Sequence, residues 1–176
     1  EMCIRDSAGS INDIRDDDKV PDKEDPFGNE DNNVSTGIYV LEKGEKLNQK
    51  IKDAESVTFT WKSAPEGAVT TDVSQNKDGS IVLWNDDGDC YISSQRAGQV
   101  IYMNAISSKM FKNCRNLTEI NFKNIDTSAV VDMSQMFYAM DSIKTLDLSS
   151  FNTSNVEDVS QMFYGNPVLK TTYVMD

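Results

Sequence analysis

Chemistry in a chain of 176 residues begins with its titratable and nucleophilic side chains, and histidine is missing here altogether. Its absence removes Ser-His-Asp triads, Cys-His dyads, the commonest general base and the commonest metal ligand. What remains are carboxylate pairs, Asp86-Asp87 and Glu157-Asp158, which in principle suit acid and base work. Both fall in segments that read as exposed turns with no pocket around them. The interval Asn85-Asp86-Asp87-Gly88-Asp89 invites comparison with a calcium loop, but it lacks the full acidic spacing and the distal glutamate. Asp87-Gly88 reads instead as a hairpin turn, because glycine accepts a positive φ. Cys90 and Cys114 stand in no C-x-x-C pair, which argues against zinc or thioredoxin-like chemistry and for two small buried apolar side chains. Glycine-rich phosphate loops are absent as well. The expectation is a protein that is not an enzyme, with no catalytic residue, metal, cofactor or small-molecule substrate.

The charge balance points the same way. There are 29 Asp and Glu against 17 Lys and Arg, a net charge of -12. Residues 1–33 hold 11 of the acidic and 4 of the basic residues, so the first fifth of the chain carries more than half of the excess. No basic stripe exists to neutralise phosphates, which argues against nucleic acid as a partner. No apolar run reaches the roughly 18 residues that a membrane-spanning helix needs.

The elements that would have to position any site fall into four stretches. Met2-Cys3-Ile4-Arg5-Asp6-Ser7 resembles the translation of a transposon end used in sequencing libraries, so residues 1–7 are expected to be an adaptor scar. Residues 8–33, dense in Asp, Glu, Pro, Gly and Asn, cannot offset the entropy of ordering and read as a disordered acidic linker. Residues 34–105 read as a β-rich cap. Within it, Gly37–Leu41 is a short strand, and Leu47, Ile51 and Ala54 form a narrow helical stripe over residues 45–54. The runs VTFTW, TTDV, SIVLW, CYISS and VIYMN read as antiparallel strands separated by turn residues.

From residue 106 to 176 the chain repeats. Met110-Phe111, Met136-Phe137 and Met162-Phe163 recur at intervals of 26 residues. The same interval links Leu117, Ile143 and Leu169, Phe122 with Leu148, Ile125 with Phe151, and Asp132 with Asp158. Residues 134–150 and 160–176 are identical at seven of seventeen positions, which fixes the register.

Within a unit, Leu117-x-x-Ile120-x-Phe122 and Ile143-x-x-Leu146-x-Leu148 have the form in which alternate side chains of a short strand point inward. Val130, Met133, Met136 and Phe137 fall at helical spacing, and Ser154 with Glu157 has capping-box spacing. The expected fold is an α/β leucine-rich-repeat-like solenoid of parallel strands with short helical returns, capped N-terminally by the small antiparallel β-rich segment. The last unit breaks off after its strand, so the array is expected to be truncated at its C-terminus. The sequons at Asn116 and Asn152 read as turn and cap residues of the repeat.

The motif FNTSNVEDVSQMFYGNPVLKT, with FKNIDTSAVVDMSQMFYAMDSIKTLDLSS before it and the lead-in DGSIVLWNDDGDCYISS, resembles the BspA-like leucine-rich repeat surface proteins of bacteria, also met as the mycoplasma lipoprotein repeat. Cys114 departs from the pattern, standing where later units have Met140 and Asn166, and Thr172 stands where an aliphatic residue is expected. The resemblance implies a secreted protein at the cell surface or cell wall, acting by adhesion to a protein ligand on a host or neighbouring cell. The outward strand positions would form the binding face: Glu119, Asn121 and Lys123, then Thr145, Asp147 and Ser149, then Thr171 and Tyr173. The alternative on the same fold is a structural spacer that carries another domain away from the wall.

Overall fold

The computed structural model describes residues 39–174. The adaptor-like residues 1–7, the acidic stretch 8–33 and the start of the strand expected over Gly37–Leu41 lie outside the described residues; Val40 and Leu41 make only isolated bridges, to Tyr102 and Ser74. The first element, α1 (Gly44–Ile51), forms where Leu47 and Ile51 share one face, and both are fully buried. Glu45 in its first turn and Lys50 in its last complement the helix dipole. Its opening residue must be glycine: a Cβ on Gly44 would come within 2.4 Å of the Ser108 carbonyl oxygen.

The strands that follow are β1 (Ser56–Thr60), β2 (Thr71–Asp72), β3 (Val82–Asp86), β4 (Asp89–Ser93), β5 (Ile101–Tyr102), β6 (Glu119–Asn121), β7 (Ile125–Asp126), β8 (Thr145–Leu148) and β9 (Thr171–Val174). They form a five-stranded sheet in the order β2-β3-β4-β1-β6 and two separate pairs, β5-β7 and β8-β9. β3 and β4 are the expected hairpin, closed by Asp87 and Gly88 with φ of 47° and 91°, the conformation of a type I′ turn. The expectation of an antiparallel cap fails at its centre, because β1 runs parallel to both neighbours, β4 and β6. Alternating burial tells which face of a strand is inside; it carries no information about the direction of the strand beside it.

The leucine-rich-repeat solenoid is overturned on two counts. Among the described residues α1 is the single α-helix, so no helical return exists. The short strands, moreover, do not join into one continuous parallel sheet: β6 pairs with β1, while β8 pairs only with β9. The segment expected to be helical, around residues 130–137, consists of turns. Its backbone N–H groups do not reach back four residues. Met133, Gln135, Phe137 and Ala139 donate instead to the carbonyls of Asp158, Ser160, Met162 and Tyr164, at 2.8–3.0 Å. Lys109, Phe111 and Asn113 likewise donate to Ser134, Met136 and Tyr138.

Positive φ at Lys109, Gln135 and Gln161, and again at Asn113, Ala139 and Gly165, breaks any helix at equivalent points. Local side chains hold the corners. Asp132 and Asp158 accept the N–H of Ser134 and Ser160, and Asp126 and Asn152 accept that of Ser128 and Ser154. These are Asx turns, so Ser154 is part of a corner and caps no helix.

Side chains 26 residues apart nonetheless lie over one another. Phe111, Phe137 and Phe163 stack with centroids 5.5 and 5.7 Å apart and rings within 5° of parallel. Phe122 meets this column edge-on, 5.8 Å from Phe111, and lies 4.9 Å from Phe151. Met110 and Met136 are fully buried beside the rings. The same hydrophobic cluster runs on without a break into Leu47, Val57, Phe59, Cys90 and Ile92 of the N-terminal region, so the turns and the five-stranded sheet share one core.

Candidate functional site

Strand alternation places the candidate residues. In β6, Ile120 points into the core while Glu119 is exposed and Asn121 half-buried. In β8, Leu146 and Leu148 are buried while Thr145 and Asp147 are exposed. Asx turns then terminate both strands in the same way: Asn121 Oδ1 accepts the N–H of Lys123 at 3.1 Å, and Asp147 Oδ1 accepts that of Ser149 at 3.0 Å. The Ser149 hydroxyl also donates to Asp147 Oδ1, at 2.6 Å. Those two donors hold the Asp147 carboxyl below the ordinary value of 3.8, the side-chain bond contributing most.

Because β6 and β8 lie side by side without a shared hydrogen-bond ladder, a groove of about 340 Å³ opens between them. Glu119, Asn121, Lys123, Asp147 and Ser149 line it, over a floor that includes Ile120 and Phe122. The groove thus collects five of the eight residues proposed from sequence. Thr145 and Thr171 lie outside it, paired with each other across β8 and β9. Tyr173 pairs with Asp147 through its backbone, and its side chain lies outside the described set.

Sequence reasoning missed that the face continues into the N-terminal region. Thr58 is in register with Asn121 on one side and with Tyr91 on the other, and Tyr91 is in register with Trp84. The row on that face of the sheet therefore runs from the buried Trp84 through Tyr91 and Thr58 to Asn121, across four strands. The alternation of β1 and β4 signals that Thr58 and Tyr91 face outward, but only the parallel pairing of β1 with β6 makes them neighbours of Asn121.

Several other acidic and thiol groups are occupied locally or enclosed. Asp89 accepts the Ser56 hydroxyl at 2.6 Å, and Asp87 belongs to the hairpin turn. Among the described residues no three Asp, Glu, Cys or His side chains converge as metal ligands. Cys90 and Cys114 are both free and fully buried. Burial pushes each thiol up to about 12, with the neighbouring thiol adding at Cys90 and the Asp53 charge adding at Cys114. Neither forms a thiolate at neutral pH, so both are packing groups.

Residues 93–172 match a family described as Mycoplasma protein of unknown function, DUF285. The matched segment opens at the last residue of β4 and takes in the stacked turns and the β6–β8 groove. No curated protein and no solved structure matches the chain.

Proposed function

We propose that this chain is a non-catalytic binding module of a bacterial surface protein, and that the groove between β6 and β8 is where a protein ligand docks. The observation that carries the reading is the convergence of Glu119, Lys123 and Asp147, with Asn121 and Ser149, around one groove floored by Ile120 and Phe122. An apolar floor under a rim of both charge signs is the composition of a protein-recognition patch, in which buried apolar area supplies affinity and the rim selects the partner. The resemblance of the FNTSNVEDVSQMF motif to BspA-like surface proteins supports adhesion to a host or neighbouring cell, outside the bacterium. It also supports placing the module at the cell surface or wall.

The test is adhesion of the purified protein to a panel of immobilised extracellular-matrix and cell-surface proteins, with Glu119→Lys and Asp147→Lys beside the parent. Both positions are exposed, and at Asp147 the substitution gives up only the two bonds from Ser149 at the strand end. Charge reversal at the rim is expected to weaken binding by about tenfold or more, chiefly through association rate, and to change its salt dependence. A spacer that only carries another domain would bind nothing on the panel. A binder that docks elsewhere would bind equally in all three proteins.

A further inference from the structure

A second concavity, of about 260 Å³, lies on the same face of the five-stranded sheet and outside the residues that match the mycoplasma family. Its floor is aromatic. Trp84 and Tyr91 sit opposite each other on β3 and β4 and stack with centroids 5.3 Å apart and planes 13° from parallel. Trp84 is buried and Tyr91 half-exposed, so the indole supports the phenol ring that the groove presents. One wall is the β1 pair Thr58 and Thr60, and the other is the loop residues Lys62, Ser63 and Pro65.

That loop is tied down where it leaves the sheet. The Ser93 hydroxyl donates to the Lys62 carbonyl at 2.5 Å, and the Lys62 N–H donates to Thr60 Oγ1 at 3.2 Å. The concavity is therefore formed before anything enters it.

The rim decides the ligand. Asp86 and Lys62 both line the groove and both are exposed, and neither side chain makes a hydrogen bond or ion pair with another described residue. A cationic ligand would meet the Lys62 ammonium and an anionic one the Asp86 carboxylate, and like charges at close range are costly in either case. A neutral ligand carrying several hydroxyls satisfies both, because a hydroxyl donates to a carboxylate and accepts from an ammonium. The Thr58, Thr60 and Ser63 hydroxyls add groups of the same two-way kind. A half-exposed aromatic ring suits the apolar C–H face of a pyranose. The volume sits just below the range of drug-sized pockets, which fits a single ring rather than a longer segment.

We infer that this groove is a binding site for a neutral pyranose ring, taken from a glycan, with Tyr91 as the platform and Asp86 and Lys62 as hydrogen-bonding partners at the rim. Its position in register with Asn121 sets it beside the proposed protein-docking groove, so one face would offer a glycan subsite and a protein subsite side by side.

The experiment is an NMR titration of the full chain, reading the indole N–H of Trp84 against that of Trp61, the chain's other tryptophan. The probes are the methyl glycosides of glucose, galactose, mannose and N-acetylglucosamine, with glucuronate, glucosamine and trilysine as charged comparisons. At least one neutral glycoside is expected to shift Trp84 saturably and to bind about tenfold or more tightly than its charged relatives. Asp86→Asn and Lys62→Gln, both at exposed positions, should each weaken it by about tenfold, the worth of one hydrogen bond to a charged group. Glu119→Lys and Asp147→Lys should leave the sugar titration unchanged, which separates this site from the protein-docking groove. If no neutral glycoside moved Trp84, if trilysine or glucuronate bound more tightly, or if neither rim variant weakened the titration, the assignment would be overturned.

Discussion

The two ends of the stack of turns use the same backbone and meet opposite circumstances. At the first turn the outward carbonyls of Ile106, Met110 and Lys112 are taken by α1, through the Gly44 N–H at 3.0 Å and the Asn48 side-chain amide at 3.1 and 2.9 Å. At the last turn the N–H groups of Gln161, Phe163 and Gly165 find no acceptor among the described residues. Side chains follow the same division. Phe111 and Phe137 are fully buried while Phe163 is 39% exposed, and Met133 is fully buried while its equivalent Val159 is 57% exposed. A unit of this repeat thus does not bury its own core; the neighbouring unit, or α1 in place of one, does.

The largest effects should come from the middle of the stack. Met136→Asp places an unpaired charge at a fully buried position and is expected to abolish cooperative thermal unfolding, a loss of about 4 kcal/mol or more. Phe137→Ala should cost about 3–5 kcal/mol by leaving a cavity between two stacked rings. The same truncation at Phe163 should cost only about 1 kcal/mol, since much of its ring is already in water. Denaturant melts of Phe137→Ala and Phe163→Ala side by side would show whether burial is set by position in the stack. Equal losses would mean that it is not.

The capped end offers the next largest effects. Gly44→Ala must push aside backbone oxygens of Ser107 and Ser108 that would lie 2.6 and 2.4 Å from the new methyl, so a loss of about 1–3 kcal/mol is expected from overpacking. Asn48→Ala leaves two carbonyls without a donor and should cost about 1–3 kcal/mol. Both are read as shifts of the denaturant midpoint at unchanged slope.

These differences explain what the sequence revealed and what it concealed. The narrow helical stripe of Leu47 and Ile51 and the hairpin signal of Asp87-Gly88 were legible because each is a local choice of a few consecutive residues. The 26-residue interval was legible because stacked rings demand the same residue at the same place. The conformation between the anchors was not. Val130, Met133, Met136 and Phe137 are spaced as on a helix, yet stacked turns also bring residues three and four apart to one side, and the spacing alone does not separate the two. The signal against a helix lay in Asp132-x-Ser134 and Asp158-x-Ser160, where a short acidic side chain takes the N–H two residues on and competes with helical bonding. The candidate face was partly legible for the same reason. Alternation within β6 and β8 picks out Glu119, Asn121 and Asp147, whereas the link from Asn121 to Thr58, Tyr91 and Trp84 depends on a parallel pairing between strands some sixty residues apart.

The smallest expected effect is in acid. Asp158 is held below the ordinary 3.8 by the backbone N–H and then the hydroxyl of Ser160, and Asp147 by the equivalent bonds from Ser149. A carboxyl depressed in the folded state favours the charged form there, so its stabilising contribution is complete above 3.8 and is lost as pH falls through the lower folded value. Both groups are fully exposed, so the corner turns should weaken only below that pH and only slightly. Carboxyl resonances followed by NMR should show both groups titrating below 3.8, and Ser149→Ala and Ser160→Ala should each move the adjacent carboxyl back toward it.

Amide hydrogen exchange tests most directly the claim that the repeat is a ladder of hydrogen-bonded turns, closed by α1 at one end and lacking acceptors among the described residues at the other. The amides of Phe111, Met133, Gln135, Phe137 and Ala139 are expected to be protected and to exchange only on global unfolding, with those of Gln161, Phe163 and Gly165 exchanging orders of magnitude faster. Equal protection of Phe137 and Phe163, or rapid exchange at Gln135 and Phe137, would contradict it.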